Sequence, residues 1–343
     1  MGTIKEIARL AGVSRGTVDR VLNERGDVNP ETAQRVKRVA DSLNYSPNLA
    51  GKTLAVRKKH LRFGYILFSS TTSNPFFLDI VQGIENRAAE LAEFGVTVDI
   101  RYARIDTPDL QVTLIDELVS SGVVGLAITP TNHPAVVSRI RNLAETGFPV
   151  ITVNTDIHDC GRLSYVGEDS FKIGETAAGL MNLITAGLET KVGIVIGHPS
   201  VESHTERAGG FTQRALTHYP KLSVVATVKN HDDNERSLAV VKQLLQDHPE
   251  IDALYLASGG IAGACQAVEE AGRTRQLKMI CHDLTPTTRK MIRENVVAAT
   301  LTQEPFLQGT KPLDILFNYV GLGIRPESDQ FFTKIEIKLR ENI

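Results

Sequence analysis

From Arg62 onward the chain alternates short apolar, β-rich runs with helical stretches. That alternation limits it to an α/β fold, with parallel sheets covered by helices on both faces. The first series reads FGYILF, PFFLDIVQGIENRAAELAEF, VTVDIRY, LQVTLIDELVSS, VVGLAIT, AVVSRIRNLAET and FPVITV. After Leu163 the pattern restarts with SYVGED, a helix expected over residues 174–186, KVGIVIG, a helix from His204, and SVVATV. DALYLAS, KMICHD, VVAATLT and a last strand near residues 331–337 complete it. Two such series imply two similar lobes. In open α/β sheets ligands bind outside the carboxyl ends of the strands, here facing a cleft between the lobes.

The first 62 residues have a different texture. TIKEIARLAGVSRGTVDRVLN, from Thr3, reads as two short helices joined by a tight turn. Thr3 and Glu6 have capping-box spacing, and Ile4, Ile7, Ala8 and Ala11 share one helical face. Gly12 supplies the turn, where positive φ costs glycine little. Ser14 is placed to cap a second helix with the apolar stripe Val18, Val21 and Leu22. This is a helix-turn-helix pattern, whose second helix enters the DNA major groove. A third helix follows, with Asn29 as its cap, Pro30 in its first position and Val36, Val39, Ala40 and Leu43 on one face. Thirteen Lys and Arg against six Asp and Glu make these 62 residues basic, although the whole chain has a formal charge of −2. A basic head on an acidic body suits contact with a polyanion. The organisation expected is a head at 1–46, a hinge helix and linker at 47–61, and a body at 62–343. Within the body, one lobe is expected at about 62–160 and 285–325, the other at about 161–284 and 326–343.

Composition narrows the classes further. No apolar run approaches the length needed to span a bilayer, and Lys5, Glu6 and Arg9 interrupt any signal-peptide core. The location expected is the cytoplasm, in association with the nucleoid. Cys160, Cys265 and Cys281 form no CxxC pair, so they read as small core residues, with no structural metal expected. There is no Walker loop, G-x-S-x-G elbow, H-E-x-x-H or post-strand GxGxxG. Neither catalysis nor a cofactor is expected. The nine histidines are scattered and read as surface residues.

The head resembles the lactose-repressor (LacI) family of transcription regulators in T-I-K-E-I-A-x-x-A-G-V-S-x-x-T-V-x-R-V-L-N and again in L-N-Y-x-P-N. The resemblance continues through the body, which is similar to periplasmic sugar-binding proteins of the ribose type, so it implies a type I periplasmic-binding-protein-like fold. It implies that Arg15 and Gly16 lie where base edges are read, Arg15 being suited to guanine O6 and N7. Thr3, Ser14, Thr17, Arg20, Asn23, Asn29, Tyr45 and Asn48 match positions that hold phosphates and fix register. Leu54 and Ala55 match hinge-helix residues of the minor groove, Leu54 being the wedge that bends the duplex. Asp19 replaces the family's common Ser, and pairs with Arg15 or accepts from a cytosine amine. Gly51 weakens the hinge helix by about 1 kcal/mol relative to Ala.

In the body, Asn74 caps and Pro75 opens the helix after the first strand. Phe76 and Phe77 resemble the ring-stacking pair of sugar binders, since sugars present C–H faces to aromatic rings. Thr129 and Asn154 end later strands, Asn154-Thr155 standing where sugar binders often have Asp-Arg. Arg207 matches the arginine of the family's R-x-x-G-F segment and could fork onto two ligand oxygens. The alternative for Arg207 is a surface ion pair with Glu206 or Glu202. Ser258 stands where the family usually has Asn or Asp. Asp283 is the leading candidate, because an acid in a cleft needs donors that vicinal hydroxyls supply. Gln303 matches the family's last ligand contact. His282 should point to the opposite side of the strand.

The function this implies is a homodimeric repressor on a pseudo-palindromic operator. Its DNA affinity is set by a small sugar or polyol held between the lobes. A nucleobase or nucleoside effector is the alternative within the family. A solute-binding or sugar-modifying protein is the alternative outside it.

Overall fold

The computed structural model describes residues 3–22, 26, 28–43, 56–69 and 75–343. Expectations at Asn23, Tyr45, Asn48, Gly51, Leu54, Ala55 and Asn74, and the hinge helix itself, lie outside these residues.

The head is built on caps. Helix α1 (Ile4–Ala11) starts where the Thr3 hydroxyl accepts the Glu6 amide at 3.3 Å, and ends at Gly12 with φ 63°. In α2 (Arg15–Leu22) the Ser14 hydroxyl accepts the Thr17 amide at 3.1 Å. In α3 (Pro30–Ser42) Asn29 Oδ1 accepts the Glu31 amide at 2.9 Å. Each contact satisfies a donor that the first helical turn would otherwise leave open. Ile7, Ala8, Ala11, Val18, Val21, Val36 and Ala40 form the small core beneath them.

The body holds two six-stranded sheets. The first contains β1 (Arg62–Phe68), β2 (Thr97–Ala103), β3 (Leu126–Ile128), β4 (Val150–Val153), β5 (Ser164–Gly167) and β11 (Gln330–Phe332), in the order β11-β5-β4-β3-β1-β2. Period-two alternation drives its two-sided burial. Phe63, Tyr65 and Leu67 of β1 pack on one face, with α4 (Phe77–Ala92) and α12 (Pro305–Leu316). Ile66 packs on the other face, with α5 (Pro108–Ser120) and α6 (Pro134–Glu145). The second sheet contains β6 (Thr190–Ile196), β7 (Leu222–Lys229), β8 (Ala253–Leu256), β9 (Lys278–His282), β10 (Ala299–Thr302) and β12 (Glu336–Lys338), ordered β12-β10-β9-β8-β6-β7. Helices α7 (Ser170–Ile184) and α8 (Glu202–His218) cover one face. Helices α9 (Asn234–Asp247) and α10 (Ile261–Glu270) cover the other, and α11 (Pro286–Arg293) follows β9. Among the described strands, β12 on β10 is the antiparallel pair; the other pairings are parallel.

The chain crosses between the lobes three times: after β5, after β10, and between β11 and β12. This moves the lobe boundaries expected from sequence. Ser164–Gly167 pairs with β4 in the first lobe, while Ala299–Thr302 pairs with β9 in the second. The single last strand expected near 331–337 is two strands, one in each sheet. Helix starts also shift: α7 begins at Ser170, α8 at Glu202, and α4 at Phe77 beyond Pro75.

Candidate functional site

The carboxyl ends of both sheets meet at a tight cleft, with a cavity volume of about 30 Å³. Seven of the expected residues line it: Phe76, Phe77, Asn154, Arg207, Ser258, Asp283 and Gln303. Thr129 does not. It is fully buried at the end of β3, where its carbonyl accepts from Gln111 Nε2 at 3.1 Å and its Oγ1 has no hydrogen-bond partner among the described residues.

The first lobe supplies an apolar wall. Phe77 meets Phe76 edge-on at 5.3 Å between centroids and Phe68 at 5.9 Å, with Ile105 alongside. Asn154 is the polar member of this side. Its φ of 68° lies in the left-handed region. Its Nδ2 donates to Gln303 Oε1 at 3.2 Å and to Gln308 Oε1 at 3.1 Å.

The second lobe supplies the charges. Arg207 is 3% exposed, which rules out the surface pair with Glu206 or Glu202. Its Nε donates to Glu168 Oε1, and Nη1 donates to the Ala257 carbonyl at 2.9 Å. Burial works against the guanidinium charge, but Glu168 and Asp283 together hold the Arg207 pKa above its ordinary value. Glu168 was not expected in the site. It sits in the first crossover, inside the SYVGED run, and no local pattern distinguishes it from a solvated loop acid.

Asp283 follows β9 with φ 64° and accepts from Gln303 Nε2 at 3.0 Å. Burial raises its pKa to about 7, against the opposing pull of Arg207 and the Gln303 bond. Gln303 lies in the second crossover and touches both lobes through Asn154 and Asp283. Ser258 Oγ donates to Asn230 Oδ1 at 3.3 Å, and Gly259 N donates to Asp232 Oδ1 at 2.7 Å. Asp232 and His204 line the cleft as well, so His204 is not the surface residue expected of it. His204 Nδ1 accepts the His198 amide at 3.1 Å, and burial lowers its pKa. His282 points away from the cleft's polar wall, with Nε2 2.7 Å from the Tyr255 hydroxyl.

The lobes also touch at the rim. Asn132 N donates to Ser200 O at 2.8 Å, Asn132 Nδ2 donates to Glu202, and Ser203 N donates to Thr155 Oγ1 at 3.1 Å. His158, Glu202 and Glu206 lie beside them, and burial, then Glu202, raises the Glu206 pKa to about 7. The three cysteines are buried and unpaired, as expected of core residues.

In the head, Ser14, Arg15, Gly16 and Arg20 are exposed on and before α2, Thr17 is half-buried, and Thr3 and Asn29 are exposed at their helix starts. Arg20 Nε donates back to Gly16 O at 3.3 Å. Ser14, Thr17, Thr3 and Asn29 thus have cap or turn roles within the head itself.

A helical head on a body of two mainly parallel sheets with an interlobe cleft defines a regulator of the periplasmic-binding-protein class. Residues 64–323 match the family model of the periplasmic binding protein domain, and residues 3–48 match that of bacterial regulatory proteins of the lacI family. The chain belongs to the LacI family and is a DNA-binding transcription regulator with a sugar-binding-type body. It is 30% identical over 264 residues to the ribose import binding protein RbsB of Bacillus subtilis, covering 77% of this chain and 83% of that protein. It is 26% identical over 283 residues to the probable HTH-type transcriptional repressor ExuR of the same organism, covering 79% and 78%. Among solved structures, a sugar-binding protein of a Bacillus halodurans sugar ABC transporter aligns with a TM-score of 0.72 at 25% identity, over 82% of this chain and 98% of that one.

Proposed function

We propose that a small sugar or polyol binds between the lobes and sets the affinity of paired heads for a pseudo-palindromic operator. The observation that carries this reading is the placement of Glu168 and Gln303. Both lie in crossovers between the lobes, and both contact side chains of the cleft. A ligand held by Arg207 and Asp283 therefore acts on the segments about which the lobes turn. Operator and effector then influence each other reciprocally. The aromatic wall suits the C–H face of a sugar ring, and the carboxylates and amides suit its hydroxyls. The sugar-binding names of the relatives support the same ligand class. The active species is a cytoplasmic homodimer, since half-site symmetry mirrors two-fold protein symmetry, and no catalytic step is assigned to it.

The test is operator selection from a random duplex pool, followed by fluorescence anisotropy with and without sugars, polyols and nucleobases. A sugar or polyol should change operator affinity, and the affinity should fall steeply with salt. Arg15→Ala should cost about 1–3 kcal/mol on the selected site and relax one base position. Equal loss on every sequence would assign Arg15 to phosphate. A response to nucleobases alone would reject the sugar reading.

A further inference from the structure

Among the described residues two buried carboxylate oxygens at the cleft lack a hydrogen-bond partner, Glu168 Oε2 and Asp232 Oδ2. Glu168 has its charge matched by Arg207, whereas Asp232, which lines the cleft, is a residue no family pattern brought forward. Asp232 is 7% exposed, in the loop between β7 and α9, and with His231 it holds left-handed backbone, at φ 58° and 55°. Its Oδ1 is committed to the Gly259 amide at 2.7 Å. Its Oδ2 is buried and has no hydrogen-bond partner among the described residues. That oxygen lies over Gly197, where a Cβ would come within 2.3 Å of it.

The neighbouring groups do not supply the missing donor. His204 Nδ1 is 3.9 Å from Oδ2, but it already accepts the His198 amide, so the neutral ring carries its proton on Nε2. Arg207 is engaged by Glu168 and by the Ala257 carbonyl. Asp283 adds a second carboxylate to the same wall. An anionic ligand would meet two carboxylates, with the one guanidinium of that wall already paired. Burying a charge without a partner is strongly unfavourable. A ligand bearing hydroxyl or ammonium donors meets the opposite situation, because an unpartnered buried acceptor is satisfied as it binds.

We infer that the effector is a sugar without negative charge, one that donates a hydroxyl or amino hydrogen to Asp232, and that Asp232 sets the selection against uronates and sugar phosphates. This rests on the sugar reading of the cleft. It adds a specificity-determining residue and a charge class.

The experiment is calorimetric titration of the full-length protein with pentoses, hexoses, 2-amino-2-deoxyhexoses, the matching uronates and sugar phosphates. Neutral or amino sugars should bind, and each uronate should bind at least about 100-fold more weakly than its parent hexose. Tighter binding of a uronate or phosphate than of its neutral parent overturns the charge class and leaves the sugar reading standing. Failure of every sugar, neutral or charged, overturns both. Asp232→Asn keeps the acceptor for Gly259 and removes the charge, and its folding is checked by the operator affinity of the ligand-free protein. Affinity for the preferred sugar should fall about 10- to 100-fold, as for a lost charged hydrogen bond. The discrimination against uronates should shrink with it. An unchanged discrimination in the folded variant removes Asp232 from the assignment. If the amino sugars bind most tightly, the donor at Asp232 is an ammonium; if the neutral sugars do, it is a hydroxyl.

Discussion

The two walls of the cleft are built from opposite chemistry. The first lobe offers Phe68, Phe76, Phe77 and Ile105, which give contact area with little directional demand. The second offers Arg207, His204, Asp232 and Asp283, each fixed by a named hydrogen bond. A ligand resting on either wall alone gains only area or only polarity. Both become available together when the lobes are closed, which makes closure the event that ligand affinity reports. The polar wall is tied to two crossovers through Glu168 and Gln303, and Gln303 reaches the first-lobe side at Asn154. Under the function proposed above, the aromatic wall is the platform and the charged wall the carrier of the signal.

The harshest way to break this contrast is Glu168→Gln. It leaves the Arg207 charge buried without its carboxylate, and loss of one partner of a buried pair costs about 3–5 kcal/mol. Urea unfolding of the full chain should register that loss. Adding Arg207→Met should recover much of it, because the buried guanidinium that Glu168→Gln leaves without a carboxylate is then gone. A Glu168→Gln protein as stable as the wild type would mean that the ion pair does not organise the charged wall.

Next in size is a pH effect on stability that should appear on the charged wall and at the rim. The folded-state pKa of Asp283 is raised from 3.8 to about 7, so the native protein holds more protons than the unfolded chain between those values. In the ligand-free protein the Asp283 contribution to stability is complete below about pH 4 and is lost as pH rises through 7. Glu206 acts in the same sense between 4.5 and about 7. Effector binding should show the opposite slope. Hydroxyl donors favour the carboxylate form, so affinity should weaken below pH 7, by at most about tenfold per unit. Asp283→Asn should flatten that slope and Glu206→Gln should leave it. The same slope in both variants would locate the titrating group elsewhere.

The head and the two lobes were legible because their signals are local. Thr3, Ser14 and Asn29 cap the helices that immediately follow them, and β1 alternates its side chains within seven residues. The lobe boundaries were not legible, because sheet membership depends on pairing partners distant in sequence. Ser164–Gly167 follows a restart of the pattern yet pairs with the strand before it. The cleft follows the same rule. Asn154, Ser258, Asp283 and Gln303 sit at or just past strand ends, where an open α/β sheet places ligands. Thr129 satisfies that rule yet is fully buried and does not line the cleft. Glu168, Asp232 and His204 were missed because a crossover, a loop and a first helical turn carry no sequence sign of burial. Gln308 lies one layer behind, visible only through the bonds it makes to Asn154 and Gln303.

Asn154 tests the polar exception on the apolar wall. Its left-handed backbone is tolerated by Asn and Gly and disfavoured for Ala. Asn154→Ala and Asn154→Gly both remove the bonds to Gln303 and Gln308, so the difference between them isolates the backbone. Ala should be less stable than Gly by about 1 kcal/mol in thermal or urea unfolding. Equal stabilities would mean that the strand end relaxes out of its φ of 68° once the side-chain bridge is gone.

The smallest effect belongs to the platform itself. Phe76→Leu keeps an apolar side chain of similar reach but removes the ring face, and aromatic contacts are worth about 0.5–1.5 kcal/mol beyond their area. Effector affinity should fall about 3- to 10-fold, with no change in its pH slope, because the titrating group stands on the other wall. A larger loss, or an altered slope, would mean that Phe76 does more than carry the ring. Its place beside Asp283 in the neighbouring cleft between Pro75 and Lys338 would then matter, since both residues line that space too. The two walls would in that case act as one unit, and the division of labour between platform and signal would fail at the point where they meet.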